Sequence, residues 1–180
     1  MNATITRVYD ITGDVIILNK DDSSYLGSKS TNGSDTWNID FKGELKEGLL
    51  YVSYNWNKKA DVSDWIVTFN NKIITAIGHY RDQFNLGTYG KHGYGLAVYN
   101  VTDLINKGLN TFTLNKTSGL TAVYPSSLLL LTNNENGASK TVYISEGADL
   151  LSKTNNKNLD VGSYTKFNID STSMINSTLY

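Results

Sequence analysis

The chain has 180 residues, a net charge of −1, 39% hydrophobic residues and no cysteine. The length and the hydrophobic fraction suit one domain with a single core. A net charge near zero provides no field to hold a polyanion, so nucleic acid is not an expected partner. The absence of cysteine excludes disulfides, zinc–thiolate sites and cysteine nucleophiles. The apolar run Leu128–Leu131 is far shorter than the roughly 20 residues that cross a bilayer, so we expect no membrane insertion.

Apolar residues alternate with polar ones in the first third of the chain, which is the spacing of β-strands. A turn at Thr12-Gly13 is expected to join the first two strands, and Asn19–Asp35 is a polar run expected to form a loop. One long strand carries Leu50, Val52, Tyr54 and Trp56 on the same face, which should be the core side. The predicted strands here are Ile5–Tyr9, Asp14–Leu18, Trp37–Phe41 and Leu49–Trp56.

The stretch Trp65–Asn110 combines two predicted strands with a polar-aromatic segment. Trp65, Val67 and Phe69 alternate, and Asn70-Asn71 offers a tight turn because Asn tolerates left-handed backbone angles. Tyr80–Gly95 is predicted as a loop, followed by a strand through Leu96 and Val98. A turn or one-turn helix should then run from Asp103 to Gly108. This arrangement is a strand scaffold carrying an exposed loop.

Further short strands are predicted in the last third, and no segment keeps apolar residues at helical spacing. These strands are Thr111–Leu114, Leu120–Tyr124, Ser127–Thr132, Thr141–Ser145 and Tyr164–Ile169. We therefore expect an all-β fold, an antiparallel β-sandwich with little helix, as a single module over residues 1–180. The polar end, residues 171–180, is expected to be incomplete or disordered, in a module taken from a longer protein.

Three sequence segments resemble galactose-binding-like jelly rolls: Phe41–Trp56, Trp65–Lys72 and Tyr99–Thr111. A narrower resemblance covers about Leu45–Leu151, most specifically Glu146–Leu151. It is to a domain of unknown function in adhesin-like surface proteins of methanogenic archaea. That resemblance implies a jelly-roll sandwich in an extracellular, cell-surface protein, and a monomeric module. The chain departs from the family pattern at Asn100, where the family tends to carry Asp.

Catalytic groups are scarce, because His79 and His92 are the only histidines and no G-x-S-x-G elbow accompanies them. His92, between Lys91 and Gly93, is expected on an exposed loop. We therefore expect the protein not to be an enzyme. A buried lysine joined to an Asn or Asp by an isopeptide bond is a separate possibility, for which Lys72 and Lys166 lie on predicted strands.

Two kinds of site are predicted in and around Tyr80–Gly95. Calcium binds carboxylate and amide oxygens, so a structural calcium is expected on Asp82, Asn85 and Asp103, with Glu146 and Asp149 as further candidates. Aromatic faces also stack on sugar rings while polar groups bond the hydroxyls. The predicted ligand-binding residues are Tyr80, Arg81, Asp82, Tyr89, His92 and Tyr94. The alternative is that these rings simply cover the edge of the sandwich.

The function predicted from these observations is that of a non-catalytic module in a cell-surface adhesin-like protein. Such a module acts as a spacer or as an adhesion domain that binds a cell-surface glycan or a protein of another cell. The alternative is a carbohydrate-binding module of a surface glycoside-active enzyme.

Overall fold

The computed structural model describes residues 4–21, 25–27, 32–57, 62, 64–85, 91–117, 119, 121–149 and 178. Within them the chain forms twelve strands and a 3-10 turn, Thr102–Leu104. No helix in this part of the chain could span a membrane. The strands are β1 (Thr4–Thr12), β2 (Val15–Asn19), β3 (Gly33–Phe41), β4 (Glu44–Asn57), β5 (Trp65–Phe69), β6 (Lys72–Ile74), β7 (Gly78–Asn85), β8 (Lys91–Asn100), β9 (Gly108–Lys116), β10 (Ala122–Val123), β11 (Ser127–Asn133) and β12 (Ser139–Glu146).

Eight of these strands form a jelly roll. One sheet has the order β2-β11-β4-β8 and the other the order β3-β9-β5-β6, with all pairs antiparallel. Strands therefore pair from the outside of the sequence inward: β2 with β11, β3 with β9, β4 with β8, and β5 with β6. This nested pairing is the double-sheet jelly-roll arrangement. It confirms the predicted β-sandwich.

The main core lies between the two sheets. Phe69 and Phe112 from one sheet meet Leu50, Val52 and Leu128 from the other, and all five are buried. The predicted core face of the long strand is thus confirmed for Leu50, Val52 and Tyr54. It changes at Trp56, which has φ of 61° and lies within a register shift in the β4–β8 pairing, between Tyr54 and Asn57. A β-bulge at this point re-aims the side chains that follow.

A third layer covers the other face of the β2-β11-β4-β8 sheet. The two-stranded ribbon β1–β12 places Ile144 against Leu49 and Val98, with Leu129 packed beside them. Strand β11 is therefore covered on both faces, as its near-continuous apolar run predicts. We call the sheet between the ribbon and the β3-β9-β5-β6 sheet the middle sheet; β7 extends it beyond β8, and β10 pairs with β4.

The chain bends at Gly13, where a turn was predicted, but the two flanking strands do not pair with each other. β1 pairs with β12 and β2 pairs with β11, so the chain crosses from one layer to the next instead of reversing. The N–H of Asn134 donates to the Thr12 carbonyl and the N–H of Thr132 to the Asp14 carbonyl, which pins this crossing to the end of β11. Turn residues in a sequence predict that the chain bends, but they do not predict which strands the two flanking strands pair with.

The predicted loop Tyr80–Gly95 is also wrong over most of its length. β7 and β8 pair residue by residue from Gly78↔Val98 to Asn85↔Lys91. Glycine and polar residues give this segment a loop composition, but cross-strand pairing overrides that weak preference. By contrast, the turn at Asn70-Asn71 is confirmed, with φ of 46° and 64°. The predicted strand Tyr164–Ile169 and the end at 171–180 lie outside the described residues, apart from Thr178.

The motif Tyr99–Thr111 forms a turn held by asparagine side chains. Asn110 is buried; its Nδ2 donates to the carbonyls of Asn106 and Gly108, and its Oδ1 accepts from the N–H of Asn106. Gly108 has φ of 94°, which a glycine adopts without strain. Asn100 Oδ1 accepts from the N–H of Thr102 at 2.9 Å, so this asparagine bonds the start of the 3-10 turn.

Candidate functional site

A buried carboxylate, Glu146, lies where the ribbon meets the middle sheet. It occupies the end of β12, opposite Thr4, next to a bulge between Ile5 and Arg7. The bulge adds Thr6 to β1, and the Thr6 hydroxyl bonds the carboxylate. Glu146 is therefore positioned by β1 and β12 together, the first and last of the described strands.

Four side chains donate hydrogen bonds to Glu146. Oε2 accepts from Arg7 Nη1 at 2.5 Å, Thr6 Oγ1 at 2.8 Å and the Tyr80 hydroxyl at 2.8 Å. Oε1 accepts from the Tyr51 hydroxyl at 3.0 Å. Tyr51 stands on β4 and Tyr80 on β7, so the carboxylate links the ribbon to two strands of the middle sheet. We call Thr6, Arg7, Tyr51, Tyr80 and Glu146 the ribbon joint.

The electrostatics of the ribbon joint follow from these bonds. Burial acts to raise the pKa of Glu146, but the bonds from Arg7, Tyr80 and Thr6 outweigh burial and hold that pKa below its ordinary value. Burial, together with the neighbouring Glu146 charge, strongly raises the pKa of Tyr51. The carboxylate therefore stays ionised and the phenol stays a donor. A general acid needs a raised pKa, so Glu146 is not poised for that role.

The predicted ligand residues divide between two faces of the β7–β8 hairpin. Asp82 pairs with Tyr94 across the strands, and both are half-buried on the face that also carries Tyr80. Arg81 is exposed and, as the intervening residue, points to the opposite face. The structure thus groups four of the six predicted residues: Tyr80, Asp82, His92 and Tyr94. Tyr80 is bonded to Glu146, and Tyr89 lies outside the described residues.

The predicted calcium residues are not brought together. Asp82 pairs with Tyr94, whereas Asp103 lies in the 3-10 turn beyond the far end of β8. Tyr94, opposite Asp82, is six residues from the Asn100 end of β8. At the usual rise per strand residue, Asp82 is therefore about 20 Å from the end of β8 that leads to the 3-10 turn. Strand pairing of the segment predicted as a loop causes this separation. Asn85 ends β7, and among the described residues no three His, Asp or Glu side chains are grouped so that they could hold a metal ion.

Both histidines are set into the sheets, and the exposed loop predicted for His92 is wrong. His92 is 9% exposed, lies edge-on to Trp56 with ring centroids 5.0 Å apart, and its Nδ1 is 3.4 Å from the Trp56 carbonyl. His79 Nε2 shares a 2.5 Å hydrogen bond with the Tyr54 hydroxyl. The bulge after Tyr54 brings the Trp56 ring onto β8, which the sequence pattern did not reveal.

One polar cleft was not anticipated from the sequence. It has a volume of about 660 Å³ and lies between the Thr12–Ser139 end of the ribbon, the start of β4 and the end of β11. Lys46 Nζ donates to the Asp10 carbonyl at 2.8 Å, and Thr141 Oγ1 donates to Asp10 Oδ1 at 2.7 Å. The cleft is lined by Asp10, Ile11, Thr12, Glu44, Lys46, Asn133, Asn134, Glu135, Ser139, Lys140 and Thr141. It contains no aromatic ring on which a sugar could stack.

A family model described as "Protein of unknown function (DUF3344)" matches residues 2–180. The chain belongs to this family. No curated protein matches the sequence of this chain. Among solved structures, the chain is similar to an α-L-rhamnosidase from Dictyoglumus thermophilum, with 9% identity and a TM-score of 0.34. That match covers 78% of this DUF3344 chain and 15% of the rhamnosidase chain, so the chain spans a small part of the larger protein.

Proposed function

We propose that this DUF3344 chain is a non-catalytic module of a cell-surface, adhesin-like protein. In this proposal the jelly roll is a rigid spacer, and the hairpin face that carries Asp82 and Tyr94 contacts a glycan outside the cell. The non-catalytic part of the proposal is supported by the hydrogen bonding of the Glu146 carboxylate. Both of its oxygens are engaged by protein donors, and the bonded groups join two layers of the fold.

The hairpin face is favoured over the cleft as the contact surface because of its side chains. Tyr94 presents a half-buried ring next to the Asp82 carboxylate, and the two stand directly opposite each other on β7 and β8. A ring beside a carboxylate matches a sugar, which offers C–H groups on its faces and hydroxyls at its edge. The lining of the cleft includes no aromatic ring.

A glycan array tests the contact. The intact chain should bind a subset of surface polysaccharides, and a Tyr94→Ala variant should lose this binding while keeping its unfolding transition. Tyr25→Ala is the matched control, because Tyr25 is also a partly exposed ring but packs against Tyr124 away from the hairpin. Release of reducing ends from a bound glycan by the pure protein would contradict the non-catalytic assignment.

A carbohydrate-binding module of a surface glycoside-active enzyme would use the same hairpin face. The two functions differ in the neighbouring domain of the longer protein. A spacer is flanked by further modules of this kind, whereas a binding module is flanked by a catalytic domain, and the full parent sequence distinguishes them.

A further inference from the structure

One end of the main core is polar. Lys116 continues the inward series Asn110, Phe112 and Leu114 along β9 and is 3% exposed. Asn57, at the end of β4 in the opposite sheet, is fully buried. Asp64, just before β5 in the same sheet as Lys116, is 4% exposed. Facing sheets of a sandwich pack about 10 Å apart, so an inward lysine and an inward asparagine together span the gap.

Hydrogen bonds tie this group together. Asp64 Oδ2 accepts from Asn57 Nδ2 at 3.4 Å and also from the Thr121 hydroxyl, while the Asp64 carbonyl accepts from the N–H of Thr117 at 2.8 Å. Lys116 stands opposite Trp65, the residue after Asp64, and its Nζ donates to the Gly27 carbonyl at 3.0 Å. An amine, an amide and a carboxylate are thus collected in one water-poor place.

Burial also makes the ammonium group of the lysine easier to deprotonate. It lowers the pKa of Lys116, and the nearby Asp64 charge offsets this only in part. Keeping an ammonium buried on a neutral carbonyl is costly, and a neutral amine avoids that cost. A neutral amine is also the form that acts as a nucleophile.

We propose that Lys116 and Asn57 are joined by an intramolecular amide bond. Nζ of Lys116 exchanges its contact with Gly27 for attack on Cγ of Asn57, and Asp64 accepts a proton from the attacking nitrogen. Asp64 then delivers a proton to Nδ2, the atom it already contacts. The Cγ–Nδ2 bond breaks, the Cγ–Nζ bond forms and ammonia leaves, so the reaction consumes no oxidant or co-reactant.

The structure favours this pair over other lysines. Lys72, predicted from the sequence as a candidate, is exposed on β6, and Lys166 lies outside the described residues. Lys20 forms an ion pair with Asp35 between β2 and β3, but both side chains keep some exposure (14% and 13%). The amide between β4 and β9 would connect the two sheets and restrict the unfolded chain, as a disulfide does. This inference rests on the buried group and not on the proposed glycan contact.

Intact-mass spectrometry of the denatured chain tests the bond. The wild type is expected to be lighter than its sequence mass by one ammonia, and a tryptic digest should contain the Asn57 and Lys116 peptides as one branched species. A wild-type chain at its full sequence mass overturns the proposal. A loss of water instead of ammonia overturns the assignment to Asn57, because that loss marks a lysine–aspartate bond.

Variants distinguish the proposed bond from other reactions that release ammonia. A succinimide at Asn32-Gly33 or Asn136-Gly137 also releases ammonia, but it persists in Lys116→Arg, whereas the proposed bond does not. Asp64→Asn should restore the full mass while the lysine and the amide are both present. Lys20→Met is the control and should keep the wild-type ammonia loss. Persistence of the loss in Lys116→Arg overturns the proposal even if that variant unfolds.

Discussion

Arg7 and Glu146 form an ion pair between the first and the last of the described strands, with Nη1 and Oε2 2.5 Å apart. The Glu146 side chain is 1% exposed and that of Arg7 is 20% exposed. The same carboxylate accepts from Tyr51 and Tyr80 in the middle sheet. The pair therefore closes the ribbon and also anchors it to the layer beneath.

Glu146→Gln should destabilise the fold. The amide removes the negative charge that pairs with Arg7, and its NH2 group cannot accept the hydrogen bonds made to the oxygen it replaces. Breaking a buried pair on one side costs about 3 kcal/mol in the free energy of unfolding. Chemical denaturation measures this change. Glu135→Gln is the control, because Glu135 is exposed on the loop before β12, and it should change the free energy by less than about 0.5 kcal/mol.

Stability should fall in acid because of Glu146. Its folded pKa lies below the ordinary value of 4.5, so its contribution is fully present above that value. The contribution is lost as the pH falls through the folded pKa. Unfolding measured from pH 7 to pH 2 should show this loss in the wild type and a shallower acid slope in Glu146→Gln. Equal slopes in the two proteins would contradict the ribbon joint.

Tyr51→Phe and Tyr80→Phe each remove one hydrogen bond to the carboxylate. A bond to a charged group contributes about 1.5–3 kcal/mol, so each variant should lose about that much stability. Combined with Glu146→Gln, either tyrosine change should cost little more than the glutamine variant alone, because the residues share one network. Additive losses in this double-mutant cycle would show that the hydroxyls act independently of Glu146.

Asn70 and Asn71 form one turn but should respond differently to alanine. Asn70 Nδ2 donates to the Leu104 carbonyl and to Asn110 Oδ1, and its Oδ1 accepts from the N–H of Thr111. Asn70→Ala should therefore cost about 3 kcal/mol in thermal or chemical unfolding. The Asn71 side chain is exposed, so Asn71→Ala should cost only about 1 kcal/mol, for its φ of 64°.

Asn71→Gly provides the opposite change at the same position. Glycine adopts a positive φ without strain, so this variant should stabilise the turn by a few tenths of a kcal/mol up to about 1 kcal/mol. A loss of stability would mean that the Asn71 side chain makes a contact that offsets its backbone strain.

Strand positions could be predicted from the sequence because side chains alternate with a period of two. Trp65, Val67 and Phe69 illustrate this, since all three are buried on β5. Strand partners could not be predicted, because paired strands can lie far apart in the sequence. β1 pairs with β12 more than 120 residues later, as Thr12↔Ser139 shows, and no local turn signal reports that choice.

The site was predictable only in part. Glu146 stands in a motif that the family resemblance singled out, but its composition suggested a calcium ligand. Its actual role depends on Arg7, 139 positions earlier, and on two tyrosines from other strands. Lys116 could have been noticed, because it keeps the inward alternation of Phe112 and Leu114. Its proximity to Asn57 depends on a bulge in β4 that the sequence pattern did not reveal.

Calorimetric titration of the wild type and Tyr94→Ala with a glycan selected on the array tests the central claim most directly. The account predicts saturable binding by the wild type, no hydrolysis of the glycan, and at least a tenfold weaker affinity for Tyr94→Ala with an unchanged unfolding transition. Equal affinity in the two proteins would contradict the hairpin face, and cleavage of the titrated glycan would contradict the non-catalytic assignment.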